Sequence, residues 1–573
     1  MFRKVFATAT FMTLCLTMPA ARSQNSKHDR GEIRHVLLIS IDGMHALDYL
    51  DCANGISTIN GGTPYCPNLA ALAKNGINYL DATTSKPSDS FPGLTALVSG
   101  GSPRTTGAFY DVAYDRSLDP PAKTTGNGVA AGTCTPGAAP TGTTTEYEEG
   151  IDLDQSQLNG GAPSGGGGIN SIDPMRLPRD PAKGCAPVYP WNFVRTNTIF
   201  GVVHSAGGYT AWSDKHPSYS SVSGPGNGKN IDDYYSPEIN STVVSLPGVT
   251  TPTGLSCAPI PDPSQTGAWT DSFQNIQCYD TLKVNAILNE IDGKAHDGKS
   301  SAPMPNLFGM NFQVVSVGQK LIEKNVGKGG HLDANGTPSS ALLSEIQFVD
   351  LSVGEMVEHL KRQGRLQSTL IVISAKHGQS PIDPNRFFPI PGPSGNNGQT
   401  PANLLASLLP DSESPTNPTG IGPTEDDISL LWLADSSKTA SAVATLEANA
   451  AAAGISQIIS GPALSLLYNS PGLPPNGDPR TPDIIVVPNL GVVYTGSSKK
   501  LEEHGGVGHD DTNVMLLLSN PNFEAKTVTS PVETAQVAPT ILKALELDPQ
   551  KLESVRAEHV QVLPGLGFDD DDR

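Results

Sequence analysis

Residues 35–43 read HVLLISIDG. The apolar run 36–41 has no helical stripe and is rich in β-branched side chains, which predicts a strand buried on both faces of a parallel sheet. Asp42 follows at the carboxyl end of this strand, and open α/β sheets bind ligands at that edge. Because a glycine that permits a tight turn comes next, Asp42 is either a metal ligand or the N-cap of a helix that begins near Met44.

The composition limits the class of protein. The 573 residues contain 37 Lys and Arg against 57 Asp and Glu, which gives a formal charge of −20. This charge argues against a nucleic-acid polymer as a partner and favours a small-molecule substrate. An anionic substrate would need local positive charge, which a metal ion could supply. The length indicates one large domain with insertions, or two domains.

The N-terminus predicts export. Arg3 and Lys4 precede an apolar stretch at 5–18, and small residues follow, which is the pattern of a secretory signal peptide. We predict that residues 1–23 are removed and that the mature protein is secreted or periplasmic; a retained N-terminal anchor is the alternative. The rest of the sequence has no stretch of 18 uninterrupted apolar residues, so we predict no membrane span in the mature protein.

The cysteine count agrees with export. Removal of the signal peptide takes Cys15 and leaves an even number of cysteines without any C-x-x-C pair, which favours disulfides over metal thiolates. Each sequential pair brackets a loop rich in Gly, Pro and Asn. We therefore predict the pairs Cys52–Cys66, Cys134–Cys185 and Cys257–Cys278.

Two further segments carry candidate catalytic groups. Ser90 precedes an apolar, helix-like run at 94–98, and a hydroxyl there faces the positive end of the helix dipole, which suits an alkoxide or a phosphate. The simpler alternative is that Ser90 only caps that helix. The buried strand 369–374 delivers Lys376 and His377, followed by glycine, and so repeats the pattern of the first strand.

Other polar clusters are candidates for the same site. The loop KKLEEHGGVGHDDTN carries the densest group of metal-ligand types, including His504, and a solvated acidic loop is the alternative. Lys215 and His216 follow the segment 198–213, which predicts strand, glycine turn and strand; they could line a site or simply be solvated.

The remaining pattern predicts the organisation of the chain. Gly- and Pro-rich sequence predicts a surface insertion at about 117–190, a second irregular region at about 221–268, and a tail at 551–573 with an acidic end. Further predicted helices lie at 67–75, 279–291, 339–363, 437–453 and 533–545, and further strands at 306–317, 428–434, 483–487 and 513–518.

These elements together resemble a known superfamily. The Asp-Gly after the first strand, SFPG near residue 90, a strand ending in KHG, an HGG loop and a final VAPTIL helix are similar to the alkaline phosphatase superfamily, nearest to its type I phosphodiesterase/nucleotide pyrophosphatase group. The resemblance implies a three-layer α/β/α fold with a mostly parallel central sheet, a hydrolase domain over about 32–550, and one or two divalent metal ions, commonly zinc.

The resemblance also implies roles for single residues. Asp42 matches a metal-bridging aspartate, Ser90 the metal-bound nucleophile, His377 a metal-binding histidine and His504 a later ligand of the second metal. Gly93 stands where the phosphodiesterase branch has a phosphate-binding asparagine. In such enzymes the nucleophile attacks phosphorus, and a covalent phospho-enzyme is then hydrolysed.

Several positions depart from the family pattern. Lys376 replaces an expected carboxylate ligand and could act as a fixed positive charge in place of a metal. Val315 and Gln319 align with two further ligands; a shifted alignment would instead offer His331 and Asp333.

The sequence therefore leaves three hypotheses for the function. The first is an exported, metal-dependent hydrolase of phosphate monoesters or diesters that uses Ser90. The second is a hydrolase of sulfate or phosphonate esters with the same fold, although the C/S-x-P-x-R motif of sulfatases is absent. The third is a non-catalytic binding protein with a degraded metal site, which Lys376 favours.

Overall fold

The computed structural model describes residues 32–147, 150–161, 168–258, 268–392, 399–410, 424–498 and 500–567. The predicted signal peptide and the acidic end of the C-terminal tail lie outside these residues. The chain is an α/β protein, as predicted.

The largest sheet of the described residues contains eight strands, which are β1 His35–Ile41, β2 Gly76–Tyr79, β3 Ala211–Ser213, β4 Asp233–Tyr235, β5 Leu307–Phe312, β6 Thr369–Ser374, β7 Leu517–Ser519 and β8 Lys526–Val528. Their spatial order is β8-β2-β7-β6-β1-β5-β3-β4. The strand β7 is antiparallel to its neighbours β6 and β2, and the other pairs in this sheet are parallel.

The predicted first strand is buried on both faces and lies between β5 and β6. Val36 and Leu38 belong to the hydrophobic core on one face of the sheet, and Leu37 and Ile39 to the core on the other. This alternation follows from the two-residue period of a strand. It explains why the run is apolar throughout.

Helices cover both faces and complete the three layers. Ser90–Ser99, Ile199–Ser205 and Val537–Ala544 pack on the first face. Phe273–Ile291 and Ser340–Arg362 pack on the second. The other α-helices are Ala46–Asn54, Pro67–Ala73, Pro103–Thr106, Pro190–Phe193, Val314–Lys320, Pro401–Leu405, Thr439–Ala448, Gly461–Leu467, His509–Thr512 and Glu553–Glu558.

A smaller antiparallel sheet forms its own hydrophobic clusters with nearby helices. Its strands, in spatial order, are Thr424–Glu425, Ser429–Leu431, Ile484–Pro488 and Ile455–Ser460. The two-stranded pairs are Ala82–Thr83 with Val532–Glu533, Val112–Asp115 with Thr143–Glu146, Arg179–Asp180 with Ala186–Pro187, Ile322–Glu323 with Gly327–Lys328, and Phe388–Ile390 with Val492–Tyr494.

The strand predicted directly after Thr198 is wrong. The structure has the helix Ile199–Ser205 there, followed by β3. The Thr198 side chain accepts the backbone N–H of Gly201 and caps this helix. The prediction at 306–317 is also too long, because Asp280 accepts the N–H groups of Gln313 and Val314 and the chain turns there into the helix Val314–Lys320.

The predicted disulfides are confirmed: Cys52–Cys66, Cys134–Cys185 and Cys257–Cys278 are all bonded. Among the described residues, no helix combines the length and the apolar character needed to cross a membrane.

Candidate active site

The carboxyl ends of parallel strands bring the predicted residues together. Asp42 follows β1, Lys376 and His377 follow β6, and Lys215 lies two residues beyond β3. Because these strands run in the same direction, their carboxyl ends meet at one edge of the sheet. Ser90 reaches the same edge from the first turn of the helix Ser90–Ser99.

Ser90 contacts three of these groups. Its Oγ lies 3.3 Å from Oδ2 of Asp42 and 3.2 Å from Nε2 of His377. The Nζ of Lys215 donates a hydrogen bond to the same Oγ over 3.2 Å. The hydroxyl is therefore held between two proton acceptors and one cationic donor.

Asp89, and not Ser90, caps the helix. The Asp89 side chain accepts the N–H of Phe91 over 3.0 Å, and Ser90 is the first helical residue. The alternative that Ser90 only caps the helix is therefore wrong. Its side chain is free to point into the site.

Asp42 is fully buried and ionised. Its Oδ2 accepts hydrogen bonds from Nε2 of Gln313 over 2.6 Å and from Nδ2 of Asn311 over 3.2 Å. Burial by itself would raise the pKa of Asp42, but the charges of Lys376 and the neighbouring His377 hold that pKa well below its ordinary value. Asp42 is thus a fixed negative charge beside Ser90.

His377 and His504 face each other, with ring centroids 4.1 Å apart. Nδ1 of His377 lies 2.9 Å from the carbonyl oxygen of Gly378, and in the neutral form of the ring donation to this oxygen leaves Nε2 as the acceptor that faces Ser90. Burial, followed by repulsion from His377, holds the pKa of His504 well below its ordinary value. His504 is therefore neutral near neutral pH.

Lys376 is fully buried and fixed from three sides. Its Nζ donates to Oδ1 of Asp214 over 3.0 Å and lies 3.9 Å from Oδ2 of Asp42. It also lies 3.9 Å from the centroid of the Tyr219 ring, within the range of a cation–π contact. Lys215 approaches Asp42 from another direction, at 4.0 Å.

Gly93 lets the helix of Ser90 lie directly against the end of β6. A Cβ at this position would overlap the carbonyl oxygen of Lys376. A side chain such as asparagine therefore does not fit here in this arrangement.

A second polar cluster lies beyond Gly43, beside this site. His45 caps the helix Ala46–Asn54, and its Nδ1 lies 2.7 Å from Oδ2 of Asp48. The other oxygen of Asp48 lies 2.8 Å from Nε2 of His331, and Nδ1 of His331 lies 2.9 Å from Oε1 of Glu502. All four residues are buried.

Charge is shared closely within this cluster. Burial favours the neutral forms, but His331 and His45 hold the pKa of Asp48 well below its ordinary value. Burial alone would lower the pKa of His331, but the negative charges of Glu502 and Asp48 raise that pKa well above its ordinary value. His45, Asp48 and His331 each offer one atom that could bind a metal ion, and these three atoms lie within 4.8 Å of one another. Among the described residues, this is the group that meets that distance.

The structure thus places the predicted residues in three locations. Asp42, Ser90, Lys376, His377 and His504 meet at the sheet edge, and His331 belongs to the second cluster. Asp333 lies at neither place, because its Oδ1 accepts the N–H groups of its own turn at Asn335 and Thr337.

The sequence did not single out several residues of these sites. Asp214 directly precedes Lys215, and its position after a strand could have marked it. His45 and Asp48 have the spacing of a helix cap and its first turn, three residues beyond Asp42. Glu502 lies in the polar loop KKLEEHGGVGHDDTN, but its role had no local signal, because its partner His331 lies 171 residues away.

A family model described as type I phosphodiesterase/nucleotide pyrophosphatase matches residues 36–135 and 322–511, together just over half of the 573 residues. The chain belongs to this family. Both matched segments include parts of the site, with Asp42 and Ser90 in the first and Lys376, His377 and His504 in the second. Membership makes the chain a phosphoric ester hydrolase of a metal-dependent family.

Solved structures show a similar chain path. Murine ectonucleotide pyrophosphatase/phosphodiesterase 5 has a TM-score of 0.49 and 14% identity, covering 90% of this chain and 96% of that chain. An inactive variant of the murine protein in complex with AMP has a TM-score of 0.49 and 13% identity, with coverages of 90% and 96%. The human protein has a TM-score of 0.48 and 13% identity, with coverages of 90% and 95%. No curated protein sequence matches the chain significantly.

The residues around Ser90 do not fit the metal set of the type I phosphodiesterase family. Val315 is in the hydrophobic core, and Gln319 donates to the carbonyl oxygen of Gly43 rather than facing Ser90. Oδ1 of Asp42 and Nδ1 of His504 have no hydrogen-bond partner among the described residues, but the ligand atoms of Asp42, His377 and His504 do not come together as a group within 4.8 Å of one another.

Electrostatics also opposes a metal beside Asp42. The ammonium groups of Lys215 and Lys376 lie 4.0 and 3.9 Å from its Oδ2. Like unit charges about 4 Å apart repel by about 4 kcal/mol at an effective dielectric constant of about 20, so both ammonium groups would repel a divalent ion bound to Asp42.

The second cluster fits a divalent ion better. Its donors are two imidazoles and one carboxylate, a combination typical of zinc. The outer nitrogen of each histidine also has a suitable partner, because Nε2 of His45 lies 2.7 Å from the carbonyl oxygen of Gln379 and Nδ1 of His331 faces Glu502. Histidines that bind metals usually donate their outer N–H to such groups.

Proposed function

We propose that the chain is an exported hydrolase of phosphate monoesters or diesters that uses Ser90 as its nucleophile. The observation that supports this most is the meeting of Ser90 Oγ with Asp42, His377 and Lys215, which come from distant parts of the chain. Family membership supports the reaction class. The disulfides support an oxidising compartment such as the periplasm or the exterior.

The proposed reaction has two displacement steps. Ser90 Oγ forms a bond to phosphorus while its proton passes to Nε2 of His377, and the bond between phosphorus and the leaving oxygen breaks. The leaving oxygen, on the opposite side of phosphorus, takes a proton from solvent water. The resulting hydroxide attacks the phosphoserine from that side, the Ser90–phosphorus bond breaks, and Ser90 Oγ takes its proton back from His377, which regenerates the hydroxyl and releases the phosphate product.

Each residue has a defined part in these steps. The Gly378 carbonyl orients His377 so that Nε2 faces the hydroxyl. Asp42 is ionised, accepts the hydrogen bonds of Asn311 and Gln313, and keeps Lys376 in place by charge. The substrate would enter beside Lys215 and His504, which are the more exposed members of a site that is otherwise fully buried.

We propose zinc as the ion of the second cluster, held by His45, Asp48 and His331. Three protein ligands leave the fourth position of a tetrahedral zinc ion to a further ligand, and the ion would cross-link the residues that hold it. It would join the start of the first helix to the segment around His331, and through Glu502 to the loop that carries His504.

Hydrolysis assays test the proposed function. Full-length protein purified from the export compartment is given nitrophenyl phosphate, bis-nitrophenyl phosphate, a nucleotide pyrophosphate and nitrophenyl sulfate. We expect turnover of at least one phosphate ester and a phosphorylated Ser90 in acid-quenched samples, found by mass spectrometry. Ser90→Ala should abolish both signals, and the exposed control Ser441→Ala should retain them. Turnover of the sulfate alone would favour the second function, and full activity of Ser90→Ala would contradict the nucleophile.

The third function, a non-catalytic binding protein, is the other alternative to this proposal, because the metal ligands expected around Ser90 are missing. It would bind inorganic phosphate without any turnover.

N-terminal sequencing of the purified protein tests export: a start near residue 24 supports it, and an intact N-terminus contradicts removal of the signal peptide.

A further inference from the structure

We propose that the Ser90 site works without a bound metal, and that Lys215 and Lys376 supply the positive charge there. This inference rests on the proposed function, since it concerns the way in which Ser90 is activated. The proposal differs from the resemblance, which implies that a metal ion binds and activates Ser90. Among the described residues, the cluster of His45, Asp48 and His331 is then the candidate site for a bound metal.

The first step of the argument concerns the place of Lys376. It lies directly before His377, where the resemblance expects a carboxylate ligand, and its ammonium group is directed at the same aspartate that would have shared the ion. Asp214 and the Tyr219 ring hold this ammonium group, and its side chain is fully buried. The charge is thus fixed at the sheet edge before any substrate binds.

The second step concerns Lys215. Its Nζ donates directly to Ser90 Oγ over 3.2 Å, and 93% of its surface is buried. A donated hydrogen bond from a cation stabilises the developing alkoxide and, after attack, an oxygen of the phosphoryl group. This is the electrostatic contribution that a divalent ion makes at a hydroxyl nucleophile.

The third step concerns the proton. A serine hydroxyl that is not bound to a metal needs an adjacent base, and Nε2 of His377 lies 3.2 Å from the hydroxyl and can accept its proton. Because Nδ1 of His377 is paired with the Gly378 carbonyl, the ring is oriented for this transfer. Activation therefore needs only groups that the chain itself provides.

Metal content tests the inference without any measurement of turnover. We expect the wild-type protein to hold no more than one equivalent of transition metal after extensive dialysis, measured by mass spectrometry of the elements. Asp42→Asn and His504→Ala should leave that content unchanged, while His331→Ala should remove it. A second equivalent in the wild type, or a loss of metal in Asp42→Asn or His504→Ala, would overturn the proposal.

Phosphate binding tests the role of the lysines. Inorganic phosphate is titrated calorimetrically into wild-type protein, Lys215→Met and the exposed control Lys229→Met, in the presence of a chelator for weakly held metal. We expect binding to the wild type and the control, and at least about tenfold weaker binding to Lys215→Met, the loss typical of one charged hydrogen bond. Equal affinity of all three proteins, or wild-type binding only after addition of metal, would contradict the inference. The proposed function fails separately, if Ser90→Ala retains activity.

Discussion

His331 lies between two carboxylates, since its Nε2 lies 2.8 Å from Oδ1 of Asp48 and its Nδ1 lies 2.9 Å from Oε1 of Glu502. In the proposed zinc site Asp48 is a ligand, whereas Glu502 only fixes the ring of His331. Glu502→Gln keeps the shape of the side chain and removes its charge. We expect about 10- to 100-fold weaker metal binding, because loss of a group that orients a metal-binding histidine has effects of this size.

Competition with a chromophoric chelator measures this change, and the exposed variant Glu524→Gln is the control. The control should bind metal as the wild type does. If Glu502→Gln also binds like the wild type, Glu502 does not act through the metal site.

The close contact of Gly93 with the end of β6 gives a second prediction. Gly93→Ala places a Cβ on the carbonyl oxygen of Lys376, so the helix Ser90–Ser99 has to move away. Overpacking of this kind costs about 1–3 kcal/mol of unfolding free energy, and here it also displaces Ser90 from His377. We expect a lower unfolding midpoint and a loss of hydrolysis of at least about tenfold.

Denaturant unfolding and the hydrolysis assay measure the two effects. Gly327→Ala is the matched control, because its added Cβ would meet no atom within 4 Å. Wild-type stability and activity of Gly93→Ala would show that the helix tolerates the displacement.

The cysteines provide a test of signal-peptide removal. The disulfides use Cys52, Cys66, Cys134, Cys185, Cys257 and Cys278, so the remaining cysteine is Cys15 in the predicted signal peptide. We expect no free thiol when the mature protein is unfolded without reductant and titrated with a thiol reagent. One free thiol per chain would show that the segment with Cys15 is retained.

The strands at the centre of the sheet were predictable because their sequence is decided by burial alone. A strand with cores on both faces needs apolar residues at every position, and 36–41 and 369–374 meet this need without help from distant residues. The position of Asp42 and His377 at the sheet edge was predictable for the same reason, since Asp42 directly follows the first of these strands and His377 lies three residues beyond the second. Their meeting with Ser90 depends on strand order, which the resemblance implied.

Elements decided by long-range contacts were not predictable. The segment 199–205 is as β-branched and apolar as a strand, and it becomes a helix because Thr198 caps it and its apolar side chains pack on the sheet. The second polar cluster joins Asp48 to His331 across 283 residues, a pairing that no local pattern records. The sequence left open whether Lys215 lines a site or is solvated. The position of β3 relative to the helix of Ser90 decides this, and no local pattern gives that position.

Glu425 makes the stability of the smaller sheet depend on pH. Burial raises the pKa of Glu425 to about 7, although its Oε1 accepts the N–H of Ala402 and the hydroxyl of Ser429. A carboxyl group whose pKa is raised in the folded state stabilises the fold below its unfolded pKa, and this contribution is lost as the pH rises through about 7.

Glu425→Gln keeps the acceptor oxygen and does not titrate. We therefore expect the unfolding temperature of the variant, relative to the wild type, to rise by a few degrees between about pH 5 and about pH 8. Thermal unfolding at both pH values measures this difference, with the exposed Glu447→Gln as the control that should show none. A difference that stays constant with pH would mean that Glu425 is already ionised in the folded protein at about pH 5.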